Sequence, residues 1–133
     1  MGLTQLIRQR CYGEGVGWTD GTLVQIDYVG PPCSAIAAMC RTQVPGGIEI
    51  CLYVQGRGGQ VHQAVYSPQN PASGWTHGVI SLPVMPFGMN MACTYLANQA
   101  HRRIYTFDSQ NHLMEYSSAD GKTWTGNGAL FMS

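Results

Sequence analysis

Arg103 and Glu115 are the residues of this chain whose types and spacing most plainly allow chemistry. Arg103 stands in the alternating run RIYTF, Glu115 in LMEYSS, and the turn DSQN lies between them. Alternation places every second side chain on one face of a strand. Asp, Ser and Asn tolerate the backbone angles of a tight turn and bond to their own backbone. The spacing therefore predicts Arg103 and Glu115 on neighbouring antiparallel strands, with Trp124 beyond a second turn at Asp120-Gly121-Lys122. A guanidinium donates from a fixed fork, a carboxylate accepts from two vicinal hydroxyls, and an indole covers an apolar ring face. Gathered at one end of a small sheet, these three groups suit a sugar ring. The plainer alternative is a cross-strand surface ion pair worth under about 1 kcal/mol. The repetition of the Trp-Thr turn elsewhere in the chain weighs for the sugar.

That repetition defines the elements that must position the pair. LIRQRCYGEGVGWTDG (6–21), VHQAVYSPQNPASGWTHG (61–78) and LMEYSSADGKTWTG (113–126) share a short alternating strand, a turn, then Trp-Thr and a glycine. Gln9, Gln63 and Glu115 are equivalent, as are Trp18, Trp75 and Trp124. Two further strands precede the second and third copies. SAIAAMC (34–40) and MNMACTY (89–95) are built of small residues; IEICLYVQ (48–55) and RRIYTFDS (102–109) carry the steps Leu52-Tyr53 and Ile104-Tyr105. A strand after each tryptophan completes the unit, at 22–28, 79–84 and 129–132. Four strands over about 50 residues describe a β-propeller blade. Small residues suit the inner strands, which converge on a central channel.

The expected fold is thus all-β, with antiparallel four-stranded blades and about two and a half blades per chain in units near 4–28, 34–84 and 89–132, forming one domain over 1–133. Rings need at least about four blades, and open sheet edges invite pairing. Self-association is expected to close the ring, as a dimer in preference to a trimer.

Composition narrows the function. Charged residues make up 11% of the chain, seven basic against seven acidic, which removes any electrostatic case for nucleic acid or an anionic membrane. The longest apolar run, about six residues, is far short of the ~20 that span a bilayer, so no membrane insertion is expected. The first ten residues, MGLTQLIRQR, hold no apolar core of signal-peptide length; the expected location is the cytosol, or outside the cell by an unconventional route. Cys11, Cys33, Cys40, Cys51 and Cys93 are expected to be mostly buried thiols, with a Cys40–Cys51 bridge possible. No HExxH, CxxC or G-x-S-x-G occurs, and Gly121-Lys122-Thr123 lacks the earlier glycine of a P-loop. The four histidines are scattered, so no metal and no cofactor are expected. A glycosidase needs two carboxylates facing one bond, and Glu115 has no evident second.

In its layout the chain resembles the fungal fucose-specific lectin family and its small bacterial relatives, whose blades read roughly I-R-V-Y … E-x-C-W-D-G-x-G-W-x-x-G. The matching residues are Arg103-Ile104-Tyr105, Glu115 and Gly121…Trp124…Gly126, with Cys11-Tyr12 and Gly17-Trp18…Gly21. The resemblance implies that Arg103 and Glu115 bind fucose while aromatics of a following blade, Tyr12 and Trp18 of a second copy, stack on it. The middle unit departs from the pattern, with Cys51 in the arginine position and Gln63 in that of the glutamate; Ser118 stands where the other units have Tyr12 and Tyr66. One good site per chain is therefore expected, and one altered site around Gln63, Trp75 and Trp124. The expected function is non-covalent recognition of L-fucose or fucosylated glycans. The alternatives are a propeller scaffold for protein–protein contact, its tryptophans being blade-packing core, and a hydrolase on the same fold.

Overall fold

The computed structural model describes residues 5–23, 29–30, 33–96 and 100–131. Among the described residues, twelve strands form four antiparallel sheets. Gln5–Leu6 (β1) pairs with Val29–Gly30 (β4), and Arg10–Gly13 (β2) pairs with Gly17–Asp20 (β3) as an N-terminal hairpin. The middle blade consists of Ile36–Arg41 (β5), Glu49–Gln55 (β6), Val61–Tyr66 (β7) and Trp75–Val79 (β8), in sequential order. The last blade repeats it with Ala92–Tyr95 (β9), Arg102–Phe107 (β10), Leu113–Ser118 (β11) and Thr125–Phe131 (β12). The small-residue strands β5 and β9 lie closest between the blades. Among the described residues, no helix is long and apolar enough to cross a membrane.

The register shows which face each residue takes. Tyr53 lies opposite Gln63 and Ala37, as Tyr105 lies opposite Glu115 and Ala92. Cys51 and Arg103 are therefore equivalent positions. Side chains alternate across each sheet, and each face of the middle blade has its own core. One face packs Leu52, Val54, Ala64 and Trp75 against Leu23 and Ile7 of the N-terminal part. The other packs Cys51, Tyr53 and Val61 against Ile104, Cys93, Tyr95 and Trp124 of the last blade. Covered on both sides, Cys51–Gln55 is buried throughout, as expected of a strand without a wet face.

Three expectations change. Residues 80–91 are irregular, because Pro83 and Pro86 cannot donate to a ladder; the outer strand instead starts at the tryptophan itself, as β8. Of the expected strand 129–132, residues 129–131 belong to a strand that begins at Thr125, while residue 132 lies outside the described residues. Of the expected strand 22–28, residues 24–28 lie outside the described residues. The thiols also differ: Cys11, Cys33 and Cys40 are exposed and Cys51 alone is buried outright. Cys40 lies opposite Ile50, and Cys51 opposite Met39, so the alternation of β6 and β5 sends the two thiols to different faces. Both are free.

Candidate functional site

Arg103 and Glu115 meet on the outer face of the last blade, the face turned away from the middle one. Arg103 lies directly opposite Ser117, and Glu115 opposite Tyr105, so the pair is diagonal across β10 and β11. Arg103 Nη1 donates to Glu115 Oε2 at 3.3 Å. The carboxylate is the more sheltered partner, 12% exposed against 34% for the arginine side chain. Asn127 on β12 donates to Glu115 Oε1 at 2.7 Å. Hydrogen bonds from Asn127 and then Tyr105, opposed by partial burial and helped by the Arg103 charge, hold the carboxyl below its ordinary range. Glu115 is thus ionised and acceptor-only near neutrality, and the guanidinium beside it is a fixed donor. A groove lined by His101, Ser117, Thr123 and Thr125 opens at the same end of the blade.

The aromatic partners lie at the opposite end of the chain. Tyr12 and Trp18 face each other across the β2–β3 hairpin, edge to face with ring centroids 5.4 Å apart. They are 67% and 63% exposed. The equivalent pair of the middle blade, Tyr66 and Trp75, has the same 5.4 Å separation, but Trp75 is 6% exposed and belongs to the core. The N-terminal part covers that face of the middle blade, whereas nothing described covers the hairpin's own outer face. Trp124 is half-buried, its ring edge-on to Tyr53 at 5.8 Å. One chain therefore brings Arg103 and Glu115 together; it does not bring Trp18, Tyr12, Trp75 or Trp124 to them.

Gln63 faces the cleft between the two blades, and its amide is engaged by protein. Its Nε2 donates to the Gly121 carbonyl at 3.1 Å, and Arg102 Nη1 donates to its Oε1 at 3.4 Å. Arg102 also reaches Glu49 Oε1 at 3.1 Å; Arg41 Nε and the Tyr95 hydroxyl donate to the same oxygen at 3.0 and 2.7 Å. Since the one Tyr95 proton goes to Glu49, the Cys51 thiol 3.0 Å away is the donor to Tyr95. Burial works against ionising Glu49, but the Tyr95 and Arg41 hydrogen bonds and the charges of Arg102 and Arg41 outweigh it and keep the carboxyl below its ordinary range.

Sequence reasoning missed Arg102. A signal did exist: Ile50 and Tyr66 are opposite one another in the middle blade, and Arg102 and Ser118 occupy those places in the last. The short Ser118 leaves room for the guanidinium. Where the middle blade has Cys51, Arg102 thus reaches into the cleft from the facing blade. His77 and Lys122 line the groove beside Gln63.

The family model described as "Fungal fucose-specific lectin" matches residues 3–132. The chain belongs to the fungal fucose-specific lectin family. Solved structures agree on the family's propeller-type all-β fold. An arginine-to-alanine triple mutant of AofleA from Arthrobotrys oligospora superposes with a TM-score of 0.72 at 21% identity, over 92% of this chain and 36% of that one. SapL1 lectin in complex with alpha methyl fucoside gives 0.67 at 25% identity, over 91% of this chain and 38% of that one. A fucose lectin from Kordia zhangzhouensis in complex with methyl-fucoside gives 0.59 at 17% identity, over 95% and 90%. The chain thus spans little more than a third of the first two. No curated protein sequence matches it.

Proposed function

We propose that this chain is a lectin that binds L-fucose or fucosylated glycans without transforming them, at a site completed between two copies. The observation that carries the reading is the Arg103–Glu115 pair, oriented and ionised on an uncovered sheet face. Arg103 donates to the ring oxygen and hydroxyls, and Glu115 accepts from a hydroxyl. Tyr12 and Trp18 of a second copy stack on the apolar side of the sugar. Within the chain, each blade already presents its tryptophan to the preceding one: Trp75 faces the N-terminal part, and Trp124 faces the middle blade. Continuing that order past the last blade sets a second copy's hairpin against Arg103 and Glu115. The neighbours solved with methyl-fucoside support the ligand class.

A single such site is weak. Repetition around a ring raises avidity through effective concentration when a glycan surface reaches several sites together. Neutral bonds are roughly half as strong as charge-assisted ones, the Gln63 amide already has protein partners, and Trp75 is buried on the other face of the middle blade, so the inter-blade cleft at Gln63 and Trp124 is the weaker site.

Arg103→Ala is the test. The variant is expected to lose retention on immobilised fucose while keeping its fold, and unchanged retention overturns the reading. The second reading, a scaffold without sugar affinity, draws on the packing of Trp75 and Trp124 between blades. A glycan array on which the wild type marks nothing would favour it. Release of free sugar from a chromogenic fucoside would instead reveal a hydrolase.

A further inference from the structure

Glu115 is opposed by an irregularity in β12. Met114 pairs with Ala129 and Tyr116 with Gly126, so Glu115 faces two residues, Asn127 and Gly128, next to a second register shift between Leu113 and Met114. Such a β-bulge re-aims a side chain. Gly128 supplies the required φ of +88°, which is cheap for glycine and costly for other residues. From the bulge, Asn127 Nδ2 donates to Glu115 Oε1 at 2.7 Å and lies 3.2 Å from the Ser117 hydroxyl, which in turn donates to Asn127 Oδ1 at 3.4 Å.

The middle blade has no counterpart. There Gln63 lies opposite Gly78 and Ala64 opposite His77 in unbroken register, and no side chain on β8 can reach Gln63 from Gly78. The bulge and its amide occur in the blade that carries the carboxylate. A glutamate on a half-open sheet face has three rotatable bonds, and Arg103 holds only one of its oxygens. Asn127 holds the other, and the Tyr105 hydroxyl on β10 bonds the carboxylate as well.

Resting on the sugar-binding reading, we propose that Asn127 is a positioning residue. Through the bulge it fixes Glu115 Oε1, so that the carboxylate meets a sugar hydroxyl ionised and in one orientation. Of the about four acceptor sites of an ionised carboxylate, Arg103, Asn127 and Tyr105 take three in the free protein, which leaves one open to the ligand.

The test follows binding of methyl α-L-fucoside by calorimetry as a function of pH in wild type, Asn127→Ala and Asn127→Thr, the last keeping a strand-compatible residue. Glu115 is titrated in parallel by carboxyl-carbon NMR of the free protein, with Glu115→Gln to assign its signal. Both Asn127 variants are expected to bind roughly three- to tenfold more weakly near neutrality, the range for one ordinary hydrogen bond, since Asn127 acts on the ligand only through Glu115. The acid midpoint of binding and the Glu115 titration are expected to move up, since the Asn127 bond is the largest contribution holding the carboxyl low. Midpoints unmoved in both variants overturn the proposal, even if affinity falls, because a loosened fold would weaken binding without retitrating Glu115. Should the wild type bind no fucoside, the sugar reading fails, and the NMR titration of the free protein still decides the role of Asn127.

Discussion

Glu49 and Glu115 are both carboxylates paired with arginine, and their surroundings give them different work. Glu49 Oε1 takes Arg41, Arg102 and Tyr95 together and is closed over by two blades; Glu115 keeps an open side. A sheltered ion pair gains little over an apolar pair of the same shape, but removing one partner costs about 3–5 kcal/mol because the other charge is stranded. Glu49→Gln is therefore expected to lower stability by about 3 kcal/mol, read by urea unfolding, while leaving the outer face intact. The sign with pH follows from the direction of the shift. The Glu49 carboxyl lies lower in the folded chain than in the unfolded one, so its contribution is full above the ordinary carboxylate value and is lost as pH falls through the folded one. Asp120 is held down to about 2, first by the Thr123 and Lys122 backbone amides, and acts in the same direction. Wild type is expected to lose stability on acidification below about pH 4.5, the ordinary value, and Glu49→Gln to show a shallower decline. Parallel curves for the two would remove Glu49 from the account.

At the scale of the element, what alternation could say was right and what packing decides was hidden. The β10–β11 hairpin, its turn at Asp108–Asn111 and the meeting of Arg103 with Glu115 all follow from period two and turn chemistry, with Asp108 Oδ1 accepting from the Gln110 and His112 amides as such a turn requires. Period two also separates Cys51 from Leu52, but it does not say that both faces of β6 are covered. Hence Trp75, named with Trp18 among the candidate sugar-binding residues, is core, whereas Trp18 is exposed. The network of Arg102, Glu49 and Gln63 was likewise illegible, since it joins residues of two blades whose apposition no local pattern fixes. Gly121 marks that apposition. Its φ is +75°, and a Cβ there would land on the Arg102 guanidinium. Gly121→Ala is expected to cost about 2 kcal/mol or more from backbone strain and displacement of Arg102. Ile104→Ala, at a fully buried position in the same interface, should cost about 2–5 kcal/mol through the cavity it leaves. Thermal unfolding measures both, and midpoints within a degree of wild type would mean that the blades do not depend on this contact.

For the whole molecule the two ends of the chain pose one question. The last blade ends in a polar face carrying an oriented ion pair. The N-terminal hairpin ends in an apolar one, with Val16 exposed beside Tyr12 and Trp18. Exposed apolar side chains gathered on one hairpin mark an interaction surface more readily than the same residues scattered. Each internal junction of this chain meets the same description, a tryptophan-bearing outer hairpin set against the preceding sheet, and it is on this ground that a second copy is the partner proposed. If copies close the ring, stability and binding are linked through mass action: dilution should lower the unfolding midpoint, and added fucoside should raise it by bridging the junction. Trp18→Ala should then weaken association and fucose retention together, while Trp75→Ala lowers stability at every concentration. Light scattering gives the simplest reading. A mass of twice the 14.5 kDa chain, or three times, is expected at micromolar concentration. A monomer that still binds fucoside with full affinity would mean that Arg103 and Glu115 need no borrowed aromatic, and would confine the site to one face of one blade.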